Sequence, residues 1–180
     1  MKDLVLTPEQ KKAIKAYLKK FREYLKGVRF QKDQEDRLRR LQYFQKVLPE
    51  RVSELSEADV YDIITNLWAS ELWSNKQYLA QKIISDNGIE KLRDELKFLL
   101  DASKSVENRY EHFLGQIKGL GPASLTEMLC FIQPEDCGIW NKKARQALRM
   151  LGLDTYVDPN KYRISAAEYQ TFNPSASSYF

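Results

Sequence analysis

The chain has 180 residues, 43% of them hydrophobic and 30% charged, which suits one ordered domain with a real core and excludes a disordered or fibrous protein. It contains no apolar run of about 18 residues. Its first residues, Met1-Lys2-Asp3-Leu4-Val5, lack the apolar stretch of a signal peptide, so a cytoplasmic protein without a membrane span is expected. The net charge of +4 is uneven: residues 1–46 hold 14 Lys and Arg against 6 Asp and Glu, residues 47–110 hold 8 against 12, and residues 111–180 hold 7 of each. A basic arm ahead of an acidic middle is a modest signal for nucleic acid.

Thr7-Pro8-Glu9-Gln10 predicts the start of a first helix: Thr7 caps, Pro8 takes the first helical position and Gln10 reaches back. Ile14, Tyr17, Leu18, Phe21 and Leu25 then fall on one stripe, and Gly27 is the expected stop. Lys12, Lys15, Lys19, Lys20, Arg22 and Lys26 lie opposite that stripe. A second helix is predicted from about Asp33 to Lys46, with Arg37, Arg39 and Arg40 as its basic cluster and Pro49 as its end. Ser56-Glu57-Ala58-Asp59 opens a third, turning Val60, Ile63, Ile64 and Leu67 inward. Ser74 caps a fourth that closes at Asn87-Gly88. Ile89 to Ala102 forms a fifth, with Leu92, Leu96, Leu99 and Leu100 as its stripe, and Ser105 opens a sixth reaching Gln116.

Period-2 alternation and β-branched residues are sparse, so an all-α, multi-helix fold is expected. After Leu153 the pattern weakens. Tyr156 to Ile164 is predicted to be extended, Ala166 to Phe172 a short helix and Asn173 to Phe180 a frayed end. The expected division is a helical domain over 1–153 and an irregular tail over 154–180, the tail serving as the start of a linker. Cys130 and Cys137 are expected to be reduced thiols. A metal site would need more ligands than these two cysteines and His112, the only histidine, so no metal and no cofactor are expected, and His112 is placed on a helix surface.

The most informative stretch is Phe113 to Leu129, which predicts helix, tight hairpin and helix over 106–132. Gly119 and Gly121 permit a sharp turn, and Pro122 is pre-set for the first turn of the second helix. Free N–H groups from Gly119 to Ala123 and the positive end of the helix dipole suit a phosphate, and Lys118 and Ser124 stand ready to add contacts.

Ile117-Lys118-Gly119-Leu120-Gly121 resembles the helix-hairpin-helix motif of DNA repair and replication proteins. The next residues extend the likeness. Ile139 and Trp140 precede Asn141, and Arg145 and Gly152 follow in a capped helix over 141–151. This order, and the 20-residue separation of Gly121 from Asn141, is similar to the helix-hairpin-helix DNA glycosylase superfamily over roughly Phe113 to Leu153. The resemblance implies a glycosylase-like fold and duplex DNA as partner. It also implies DNA contacts from Lys118, Gly119, Leu120, Gly121, Ala123, Ser124, Lys142, Lys143 and Arg145.

The family's catalytic Asp position holds Asn141, which can cap a helix but supplies neither charge nor basicity. The position of the family's lysine nucleophile holds Ala123. The expectation is therefore a catalytically degenerate module, with Glu127, Glu135 and Asp136 as the nearest replacement acids. Trp68, Trp73, Tyr78, Tyr110 and Trp140, with Asn141, are candidate walls of a pocket for an extruded base, or else core residues.

Leu67-Trp68 through Leu153, with Tyr162-Arg163-Ile164-Ser165-Ala166-Ala167-Glu168-Tyr169, is similar to modules ahead of McrB-type AAA+ motors of modification-dependent restriction systems. That likeness implies recognition of modified DNA for a AAA+ motor or nuclease partner. The chain has no Gly-x-x-x-x-Gly-Lys-Ser/Thr loop of its own. Two other readings stand beside the DNA-binding one: a monofunctional DNA N-glycosylase of base excision repair, and a helical protein-interaction module.

Overall fold

A computed structural model describes residues 6–173, and every regular element among them is a helix. Of the frayed end expected over Asn173 to Phe180, Asn173 is described and its Oδ1 accepts the Gly138 N–H, and the rest lies outside the described residues. α1 (Pro8–Tyr24) opens on a reciprocal cap: Thr7 Oγ1 accepts the Gln10 N–H, and the Gln10 side chain accepts the Thr7 N–H at 2.8 Å. Its end departs from expectation. The chain turns at Leu25, and Gly27, at φ −90°, becomes the N-cap of α2 (Val28–Gln42) instead of a left-handed stop.

Pro49 does not end that second helix. A π-helical turn, Tyr43–Val47, leads into α3 (Leu48–Arg51), whose first turn holds Pro49. The wider turn ahead of the ring removes both the need for its missing N–H and the usual collision with the preceding turn.

α4 (Glu57–Thr65) starts where predicted, on a Ser56–Asp59 capping box, and buries Val60, Ile63 and Ile64. A single 3₁₀ turn, Trp68–Ser70, follows it. α5 (Lys76–Asn87) is capped by Asn75, not by Ser74. Gly88, at φ +82°, passes the chain directly into α6 (Ile89–Leu100), whose Leu92, Leu96 and Leu99 are buried. α7 (Val106–Gln116), α8 (Pro122–Ile132), α9 (Lys142–Leu151) and α10 (Ala166–Phe172) complete the order, with Ser105, Asn141 and Ser165 capping α7, α9 and α10. The stretch expected to be extended before Ile164 forms turns instead.

α8 lies at the centre, with every residue from Leu125 to Phe131 buried. Phe44 stacks on Phe131 at 5.4 Å from one side, and Ile83 and Phe113 are fully buried in the same core. Packing continues past Leu153. Val157, Ile164 and Tyr169 are buried, Tyr169 stacks on Tyr110 at 4.7 Å, and the Tyr110 hydroxyl donates to the Ile164 carbonyl at 2.9 Å. Both cysteines are free and buried. α1 and α9 bury no residue, and on α1 Tyr17, Leu18, Phe21 and Leu25 of the apolar stripe are exposed.

Candidate functional site

α7 and α8 are joined by residues 117–121, with Ile117 and Leu120 buried and Lys118 and Gly119 at the surface. Gly119 sits at φ +87°, and a Cβ there would stand 2.9 Å from Ile83 Cγ1. Only glycine meets both conditions. Asn87, at the end of α5, clamps the turn from outside. Its Oδ1 accepts the Lys118 N–H at 2.8 Å, and its Nδ2 donates to the Lys118 carbonyl at 2.9 Å. Asn87 reads in the sequence only as a helix end, because its partner lies 31 residues away.

The first intrahelical bond of α8 runs from the Leu125 N–H to the Gly121 carbonyl. The N–H groups of Gly119, Gly121, Ala123 and Ser124 therefore have no protein acceptor among the described residues. Pro122 has no N–H to satisfy. The first turn of α8 carries no acid, so the positive end of its dipole is not offset from within the helix.

The start of α9 is fixed beside this end. Thr126 Oγ1 donates back to the Pro122 carbonyl at 2.7 Å and accepts the Trp140 N–H at 2.9 Å. The neighbouring Asn141 therefore follows α8 closely in space, and its Oδ1 accepts the Ala144 N–H at 2.9 Å. Lys142 and Lys143 occupy the first turn of α9, exposed and without an ion-pair partner among the described residues. Thr126 thus ties the first turns of α8 to the residues that lead into α9, and Lys118, Lys142 and Lys143 are exposed at the hairpin and at the start of α9. Arg145 is used differently: its guanidinium donates to the Lys161 carbonyl at 3.3 Å and lies 5.9 Å from the Tyr162 ring centre. Tyr162 in turn places its hydroxyl 2.7 Å from where a Cβ on Gly121 would stand.

The candidate pocket residues are not gathered around an opening. Tyr110 and Trp140 are buried in the core, and the Trp140 indole N–H donates to the Tyr162 carbonyl at 3.2 Å. Trp68 is half-buried under Arg40, with its indole N–H donating to Asp36 at 2.7 Å. Asp36 is partly buried, which pushes its carboxyl up, but hydrogen bonds from Arg40, Arg39 and Trp68 outweigh this and hold it down at about 2. Trp73 and Tyr78 stand at the surface. A shallow cleft of about 170 Å³, bordered by Pro134, Cys137, Gly138, Phe172 and Asn173, includes none of these aromatic residues.

The replacement acids are also placed. Glu127 is buried, and its two oxygens accept the backbone N–H groups of Trp68 and Ala69, capping the 3₁₀ turn. Burial raises its carboxyl to about 7 against the opposing pull of those two bonds. Glu135 and Asp136 are exposed beyond the far end of α8, about 16 Å along that helix from the hairpin. His112 is half-buried, pairs with Glu95 at 2.9 Å and stacks on Phe98.

Among the described residues, no group of three or more His, Cys, Asp and Glu is arranged to hold a metal ion, and no helix is long and apolar enough to cross a membrane. Comparison with family models, curated proteins and solved structures finds no match to this chain.

Proposed function

We propose that this chain is a non-catalytic DNA-binding module that grips the duplex backbone at the junction of α8 and α9. One observation carries the reading: the start of α8 presents free N–H groups, and Thr126 of that helix holds the Trp140 N–H just ahead of α9, whose first turn exposes Lys142 and Lys143. Cations at a helix N-terminus oppose the helix dipole and cost about 0.3–1 kcal/mol each at the surface. A bound phosphate reverses that penalty, because it meets N–H donors, both dipoles and the ammonium groups together.

Asn141 carries no charge, Ala123 offers no nucleophile, and Glu127 is enclosed by the backbone it caps. With Tyr110 and Trp140 packed in the core, the backbone grip has more structural support than base extrusion.

The Ser124→Asp variant tests this reading. Ser124 is half-exposed in the first turn of α8, where an acid favours the helix and repels a phosphate. Fluorescence anisotropy with a labelled duplex should show binding by the wild type and loss of it in Ser124→Asp, while the melting temperature holds or rises. Equal binding by the two proteins would remove the hairpin from the interface.

A further inference from the structure

α1 is a well-capped 17-residue helix that buries no residue. It is tied to the body through its ends: the Gln10 amide donates to the Gly152 carbonyl, and Tyr24 donates to Asp33 and meets Phe30 edge-on at 5.6 Å. In folded proteins the covered apolar face supplies most of a helix's stability. Here Leu18 is 46% exposed and Phe21 51%. Together with Ile14 and Leu25 they recur at spacings of four, three and four, which is the seam of a helix that packs along another helix.

The charges beside the seam select the occupant. With Leu18 and Leu25 at a positions and Ile14 and Phe21 at d, the cations expected opposite the stripe divide: Lys15 and Arg22, at e, flank the seam, whereas Lys12, Lys19 and Lys20 lie behind it. A second copy of α1 would set like charges against each other, which disfavours self-pairing. Phosphates alone would leave the aliphatic seam in water. We infer that α1 docks an acidic amphipathic helix from another protein, with an aliphatic stripe bordered by Glu and Asp. This inference is independent of the DNA reading, since α1 meets α9 at Gly152, about 15 Å along α9 from Lys142.

The probe is a labelled synthetic three-heptad peptide with Leu at a and d and Glu at e and g, titrated against the full chain. A matched peptide with Lys at e and g serves as the control. The Glu peptide should bind roughly tenfold or more tightly than the Lys peptide, and Lys15→Glu/Arg22→Glu should invert that order. Leu18→Ser/Phe21→Ser should abolish peptide binding while leaving duplex binding and the circular dichroism of the body intact. Four results would each overturn the inference. These are equal affinity for the two peptides, a concentration-dependent dimer in sedimentation that Leu18→Ser/Phe21→Ser dissolves, and tighter seam-dependent binding to phosphatidylserine vesicles or to duplex DNA than to the Glu peptide.

Discussion

Gly119 and Gly121 sit two residues apart and are held to glycine by different constraints. At Gly119 the backbone is left-handed, and the space a Cβ would fill is occupied by the buried Ile83 side chain. At Gly121 the backbone is ordinary for any residue, and the neighbour is the hydroxyl of Tyr162, the far end of an exposed side chain. Gly119→Ala should therefore cost at least about 1–2 kcal/mol in urea unfolding. Gly121→Ala should cost clearly less, since Tyr162 can swing away. Equal losses would mean that the turn is not constrained as described. Asn141 was legible in the sequence as a cap because a cap bond spans three residues. Asn87 was not, because its partner is distant in the chain and an Asn-Gly pair at a helix end already has a local explanation.

Glu127 joins two elements, since a carboxylate on α8 caps the 3₁₀ turn after α4. Its folded-state pKa, about 7, lies above the ordinary 4.5. The stability it contributes is therefore complete below about pH 4.5 and is lost as pH rises through 7. The wild type should lose roughly 3 kcal/mol relative to Glu127→Gln between those limits. Urea melts at a series of pH values would read this directly, and a difference that does not change with pH would contradict it. Lys142→Glu/Lys143→Glu should raise stability, by about 0.3–1 kcal/mol per site, and weaken duplex binding. A variant that lost stability as well as binding would show that the two lysines hold the fold and not a ligand.

The all-α class and most helix starts were readable along the chain because caps and apolar periodicity are local. Thr7, Ser56, Ser105 and Asn141 all cap in the structure. Features set by the third dimension were not readable. Helical periodicity marks an apolar stripe without saying what covers it, so the stripe on α1 looks the same in sequence as those on α4 or α6, yet it faces solvent. Pro49 misled because proline ends an α-helix, whereas a π turn lets the chain pass through it. The tail read as irregular, yet Val157, Ile164 and Tyr169 close the core around Tyr110.

At the candidate site, the sequence named the glycines and lysines. It missed the positioning contacts of Asn87, Thr126 and Tyr162, each of which acts across more than ten residues. Those contacts set the two helix starts side by side, and the proposed grip on DNA depends on that adjacency. Its most direct test is the salt dependence of duplex affinity in the wild type and in Lys118→Ala/Lys142→Ala/Lys143→Ala. The account predicts a linear fall of log affinity with log salt, and a slope shallower in the variant by about 0.9 for each phosphate contact removed. Affinity indifferent to salt, or the same slope in both proteins, would contradict it.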